Sequence, residues 1–173
     1  MRIRLSLIGL VCLAVGCGGI HRAVKYNDLN SVRSYVNRGD IDKRDERYGL
    51  TPLMLAAYYD YPDIAKYLLE QGASVNMRDK SGRTALIYAA SYNYLDMARL
   101  LLEHKASTLV EDNDGYNASD YAEAYEFTEM VELLNRYPQN AYIDKRTRRH
   151  KIKQLRKEIK RLKKKKMKKK QSW

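Results

Sequence analysis

The chain is predicted to be an all-α solenoid of about four stacked helical units, followed by a basic C-terminal helix or disordered tail. Three observations carry this prediction. Residues recur at a fixed offset of 33 between about residue 20 and residue 137. Within the recurring unit, apolar residues such as Ile64, Ala65, Leu68 and Leu69 follow helical spacing. Charge is also divided sharply. Of the 33 lysines and arginines, 17 lie in residues 144–173 with only two acids, which leaves 16 basic against 19 acidic residues in the first 143. A period of this size marks a repeat architecture, in which no unit buries its apolar face alone and stability comes from stacking.

At the N-terminus, Arg2 and Arg4 precede an apolar run of 11 residues, Leu5 to Val15. A membrane-crossing helix needs roughly 20 apolar residues, so the run is too short to span and fits the apolar region of a secretory signal. The following Leu13-Ala14-Val15-Gly16-Cys17 resembles a bacterial lipobox, with Ala14 where Leu is usual. The resemblance implies that residues 1–16 are a cleaved signal peptide and that Cys17 carries acyl chains such as palmitate. Residues 17–19 would then be a lipid-anchored N-terminus facing the periplasm, and Gly18 in place of Asp is similar to signals sorted to the outer membrane. The same run is also compatible with an ordinary signal cleaved nearby or with a short anchor. Cys12 and Cys17 are the only cysteines, so the body has no internal disulfide and no Cys-based zinc site. His21, His104 and His150 have no ligand spacing.

In the body, Gly49, Gly82 and Gly115 share one column of the 33-residue repeat, and Thr51, Thr84 and Asn117 share another. Further columns are Ala56, Ala89 and Ala122; Ile64, Met97 and Met130; and Leu68, Leu101 and Leu134. Thr51 and Thr84 suit helix N-caps, and Pro52 suits the first helical position. The small alanines allow close helix approach. Gly72 suits a left-handed C-cap, whereas Lys105 occupies the same place one unit later and predicts a looser helix end.

Thr51-Pro52-Leu53-Met54-Leu55-Ala56 closely resembles the Thr-Pro-Leu-His-x-Ala signature of ankyrin repeats, and Thr84-Ala85-Leu86-Ile87-Tyr88-Ala89 is the next copy. Leu68 to Asn76 is similar to the second half of that family's unit. The resemblance implies helix-turn-helix units at about residues 20–44, 45–78, 79–111 and 112–137, within a repeat domain of residues 20–138. The first unit lacks the usual opening turn. The last carries Glu123, Glu126, Glu129 and Glu132, which predicts a polar cap exposed on one side, and Pro138 ends it.

Fifteen tyrosines stand against one Phe and one Trp. Tyr26, Tyr59, Tyr92 and Tyr125 are spaced by 33, near the end of each unit's first helix. In ankyrin-repeat proteins that place borders the concave groove, so these four and neighbouring Tyr58 are candidate partner-binding residues. Tyrosine combines a large apolar ring with a polar tip and is favoured at interface hot spots. The competing reading is that the rings pack between repeats, and periodicity does not separate the two. The turn tips add Arg47, Tyr48 and Leu50, then Lys80 and Arg83, then Tyr116, as variable contact candidates.

Residues 139–173 form the Lys/Arg-rich tail. Ile152, Leu155, Ile159 and Leu162 make a short apolar seam that could fold on the last repeat, pair with a partner helix or enter a membrane surface. Lys163, Lys164, Lys165, Lys166, Lys168, Lys169 and Lys170 follow, a candidate surface for anionic lipid or cell-wall polymer. A nucleic-acid partner is disfavoured by the export signal and by the absence of aromatic residues among these lysines, terminal Trp173 apart.

No phosphate-cradling loop, nucleophile elbow or metalloprotease motif occurs. Asp112 and Asp114 lie in a repeat turn and offer too few oxygens for calcium. The expectation is therefore no enzyme, no catalytic residue, no cofactor and no metal. The expected function is an exported, lipid-anchored scaffold that binds a protein partner through its concave groove. The alternatives are an envelope tether acting through the basic tail, or an immunity or inhibitor protein for a periplasmic enzyme.

Overall fold

The computed structural model describes residues 19–137 and 145–171. Among the described residues every regular element is an α-helix. These are α1 Gly19–Lys25, α2 Leu29–Val36, α3 Pro52–Tyr59, α4 Pro62–Glu70, α5 Ala85–Tyr92, α6 Leu95–Glu103, α7 Ala118–Ala124, α8 Thr128–Asn135 and α9 Lys145–Gln171. The first eight form four antiparallel pairs. Helices α1, α3, α5 and α7 stack in one layer, and α2, α4, α6 and α8 stack behind them.

Each repeat column has a visible physical role. Thr51, Thr84 and Asn117 cap the inner helices, accepting hydrogen bonds from the backbone N–H of Met54, Ile87 and Asp120. Ala56, Ala89 and Ala122 are fully buried, and their carbonyls accept from the backbone N–H of Tyr61, Tyr94 and Phe127 at 2.9, 3.0 and 2.9 Å. That bond folds each outer helix back onto its inner one, and only a small side chain leaves room for it. Ile64, Leu68, Met97, Leu101, Met130 and Leu134 fill the space between neighbouring units and are buried throughout.

The helix end at Lys105 is closed rather than loose. Lys105 adopts φ 65° and keeps both closing bonds, Lys105 N to Leu102 O and Ala106 N to Leu101 O, each 2.9 Å. Gly72 makes the equivalent pair at 3.0 and 2.9 Å with φ 89°. Stacking therefore imposes the left-handed turn, and Lys105 carries the backbone strain that glycine avoids.

Between units, the hairpin tips are stitched by backbone bonds. Lys80 N donates to Tyr48 O and Asn113 N donates to Ser81 O, both at 2.9 Å. Gly82 lies under this stitch at φ 80°. A Cβ there would sit 2.5 Å from Asn113 Oδ1, 2.6 Å from Arg78 Nη2 and 2.8 Å from the Asn113 backbone nitrogen. At Gly115, with the same φ, the nearest atom would be 3.9 Å away. Gly115→Ala is expected to cost about 1–2 kcal/mol, the left-handed penalty alone. Gly82→Ala should cost about 3 kcal/mol or more, because the tip-to-tip contact must also open. Denaturant titration of the two variants checks the order, and equal losses would refute it.

The apolar seam of the tail folds on the last repeat. Helix α9 packs beside α7 as a fifth member of the inner layer. Ile152, Leu155 and Ile159 are buried against it, at 8, 4 and 8% exposure. Lys151 pairs with Glu111 at 2.7 Å and with the buried Asp120 at 3.1 Å. Burial opposes the Lys151 charge, yet the bonds to Glu111 and Asp120 outweigh it and hold its pKa above the ordinary lysine value. Arg156 donates to Glu123 O at 2.9 Å and lies 3.6 Å from Glu126. The last unit is thus polar on Glu126, Glu129 and Glu132, all exposed, but its inner helix is covered rather than open. The polar-cap expectation missed this because the covering segment lies beyond the end of the periodic sequence.

Candidate partner-binding surface

The C-terminal halves of the inner helices and the hairpins gather tyrosines on one face. Tyr58, near the end of α3, is the hub. Its ring meets Tyr59 at 4.9 Å, Tyr92 at 5.4 Å and Tyr88 at 5.8 Å between centroids, edge to face in each case. Such pairs hold the rings in place, and a rigid aromatic surface loses little entropy on binding.

The 33-spaced tyrosines differ in exposure. Tyr26 and Tyr92 are 67 and 47% exposed. Tyr59 and Tyr125 are half-buried. Tyr59, Tyr92 and Tyr125 stack on Tyr61, Tyr94 and Phe127 of their own units, at 5.7, 5.7 and 5.5 Å. The column therefore braces the inner–outer helix junction in the second, third and fourth units, while Tyr26 and Tyr92 present exposed ring surface. Burial and the adjacent Tyr58 push the Tyr92 hydroxyl up to about 12.

Beside this cluster lies an open hollow of about 640 Å³ between the first two units. Its walls include Tyr26, Tyr48, Leu50, Tyr58 and Tyr59 from the sequence-derived set, together with His21, Arg22, Lys25, Asp45, Leu55 and Tyr88. Arg47 lies over the Tyr48 ring at 5.0 Å, so it borders the same place. His21, Arg22 and Lys25 were missed because they fall outside the tyrosine column and the turn tips. A sequence signal existed only for the column position of Arg22. Arg22, Leu55, Tyr88 and Tyr121 form a 33-spaced column whose chemistry changes from unit to unit, as a recognition column would.

Three turn-tip candidates turn out to be tied into the fold. Lys80 is exposed, but its ammonium donates to the carbonyls of Glu46 and Arg47. Arg83 is half-buried and joins the third unit to the fourth. Its Nη2 donates to Tyr121 Oη at 3.1 Å, and its Nε lies 3.6 Å from Asp112 Oδ2. Tyr116 is only 8% exposed, with the Lys151 ammonium 5.8 Å from its ring centre. The basic helix covers it and removes it from any partner surface. The lipid attachment expected at Cys17 lies outside the described residues. Of the tail lysines, Lys164 is exposed, and the side chains of Lys163, Lys165, Lys166, Lys168, Lys169 and Lys170 are outside the described set.

Behind the tyrosine face, two buried carboxylates hold the hairpins. Tyr88 Oη donates to Asp79 Oδ2 and Tyr121 Oη donates to Asp112 Oδ2, both at 2.6 Å. The first oxygens accept from the backbone, Asp79 from Ser81 and Arg83, Asp112 from Asp114 and Tyr116. Both carboxylates are occupied in turn geometry. Among the described residues no group of His, Cys, Asp or Glu could hold a metal ion.

Burial first, and the bond to the carboxylate second, raise the Tyr88 and Tyr121 hydroxyls above the usual value of 10.0. A raised native pKa gives stability that is whole below about pH 10, where unfolded tyrosines are neutral, and that falls as pH climbs toward the native value. The melting temperature is expected to drop between about pH 9 and 12, with a shallower drop in Tyr88→Phe and Tyr121→Phe. An identical slope in both variants and wild type would contradict the assignment.

Comparison with known proteins agrees with this geometry. Residues 20–112 and 80–147 match a family model described as ankyrin repeats (3 copies). The chain is similar to protein phosphatase 1 regulatory subunit 27 of Homo sapiens, 46% identical over 59 residues, which cover 34% of this chain and 38% of that protein. It is also similar to ankyrin repeat and SAM domain-containing protein 6 of Mus musculus, 52% identical over 42 residues, 24% of this chain and 5% of that protein. These matches span well under two thirds of either relative's length.

Proposed function

Because this chain belongs to the ankyrin-repeat family, whose repeats serve as protein-binding scaffolds, we propose that it is an exported, lipid-anchored scaffold holding one protein partner against its tyrosine face. The observation that carries this reading is the exposed rings of Tyr26, Tyr58 and Tyr92 beside the hollow between the first two units, with Tyr58 and Tyr92 braced edge to face. Similarity to a protein named as a regulatory subunit supports attachment to another protein. An inhibitor of a periplasmic enzyme is one form such a partner relationship would take. Export and anchoring are proposed from the apolar run and Cys17; on that reading the chain sits at the cell envelope, facing the periplasm and more naturally on the outer membrane.

The test is a crosslinked capture from native envelopes with wild type and with Tyr26→Ala/Tyr58→Ala/Tyr92→Ala. Exposed Lys66 on the outer helix α4 serves as a control position, as Lys66→Ala. Each hot-spot tyrosine contributes about 2 kcal/mol or more, so the triple variant should bind at least about 100-fold more weakly while still melting cooperatively. Equal recovery by a folded triple variant would remove the tyrosine face from the function.

A second reading, an envelope tether, has its own observation: Lys157, Lys160, Arg161 and Lys164 are exposed on α9. Removing residues 144–173 would confound it, since α9 also covers the last repeat. Removing residues 163–173 leaves the buried seam in place. A tether loses its salt-sensitive attachment to anionic lipid or cell-wall polymer on that truncation, whereas a tyrosine-face scaffold keeps its partner.

A further inference from the structure

The hollow between the first two units carries a more specific message than a generic tyrosine surface. Its aromatic floor is formed by Tyr26, Tyr48 and Tyr58, which are 67, 53 and 39% exposed. Its cations, Arg22 and Lys25, outnumber its one carboxylate, Asp45. Arg22 and Lys25 are exposed on α1, and among the described residues neither has a carboxylate within ion-pair distance. The one carboxylate in the wall, Asp45, is already engaged: Oδ1 accepts from Leu50 N, and both oxygens lie within 3.3 Å of Tyr48 N. The Arg22 guanidinium rests 5.7 Å from the centre of the Tyr26 ring, and Arg47 rests 5.0 Å from that of Tyr48. Each cation is thereby held beside an apolar ring. An anion docking on such a pair meets a fixed donor fork next to a surface that accepts a bulky side chain.

We propose that this hollow is a receptor for a partner segment in which a carboxylate side chain adjoins an aromatic or large aliphatic one. The inference rests on the partner-binding reading above and names the chemistry of the partner at that site. The carboxylate pairs with Arg22 and Lys25, and the neighbouring ring or aliphatic chain fills the space above Tyr26 and Tyr58. A volume of about 640 Å³ accommodates a few side chains, not a whole domain. The concave face as a whole is not selective for anions, because the repeats carry more acids than bases.

The test uses the full mature chain and a random peptide display library, panned at physiological salt. Selected peptides are expected to pair Asp or Glu with Phe, Tyr, Trp or Leu at adjacent positions. Arg22→Glu/Lys25→Glu should weaken them at least about tenfold, in line with the loss of a close charge pair. A peptide with its acids replaced by Lys should regain affinity for that charge-reversed variant. Both substituted residues are exposed, so an unchanged melting curve is expected and is measured alongside. Selection of peptides without acid enrichment, or no selection at all, overturns the proposal. So does binding that survives Arg22→Glu/Lys25→Glu and disappears on removal of residues 163–173, which assigns it to the tail. Peptides that depend on Tyr92 but not on Arg22 or Lys25 would overturn this inference and leave the broader tyrosine-face function standing.

Discussion

Leu155→Asp is expected to open the last repeat while the first three stay folded. Leu155 is 4% exposed, in the middle of the α9 seam, with Ile152 and Ile159 one turn to either side. A carboxylate cannot remain there without water, so α9 leaves its place. Its departure uncovers Tyr116 and the face of α7 that α9 packs on, and strips Lys151 from the buried Asp120. The milder Leu155→Ala should cost about 2–4 kcal/mol, the usual range for a truncated core leucine. In a repeat stack each unit is stabilised by its neighbours, so the loss is local at first. Hydrogen exchange is the measurement: amides of α7 and α8 should lose protection in Leu155→Asp, while those of α3 to α6 keep most of theirs. Unchanged protection in α7 would mean that α9 does not cover it. Lys164→Ala, on the exposed side of the same helix, should leave the exchange pattern alone.

The second large effect concerns Asp112. It is 4% exposed and serves Asp114 N, Tyr116 N and Tyr121 Oη at 3.1, 2.9 and 2.6 Å, with Arg83 Nε 3.6 Å away. Asp112→Ala leaves three donors without an acceptor and a half-buried guanidinium without its counter-charge. Losing one partner of such a pair costs about 3–5 kcal/mol, far above the worth of an exposed salt bridge. Asp112→Asn keeps one carbonyl acceptor for the turn, so its cost should be about half as large. Chemical denaturation of both variants tests the order. A loss under about 1 kcal/mol in Asp112→Ala would show that Arg83 and Tyr121 find other partners.

Much of the candidate surface was visible before folding, but its division into roles was not. Tyr26, Tyr58 and Tyr92 were singled out by spacing and abundance, and all three present free ring area. Tyr116 and Arg83 were singled out by the same variability at the turn tips, yet one is covered by α9 and the other is spent on Tyr121 and Asp112. Variability reports that a column is unconstrained by the repeat. It does not report what an aperiodic segment later lays over that column. Arg22 and Lys25 show the reverse error, because they gain meaning only from standing next to Tyr26, Tyr48 and Tyr58 across the first two units.

The sequence by itself determined the repeat, the pairing of helices within it, the caps at Thr51, Thr84 and Asn117, and the buried alanine and leucine columns. These depend on local propensity and on contacts between equivalent positions one period apart, and a fixed offset encodes both. Tertiary structure alone decided the fate of the C-terminal seam, the occupation of Asp112, the closure of the helix end at Lys105 and the gathering of Arg22, Lys25 and five tyrosine rings around one hollow. Those outcomes depend on pairings between residues that share no period, such as Lys151 with Asp120 or Arg22 with Tyr26 beside Tyr58. Such pairings form only once stacking has brought the residues together.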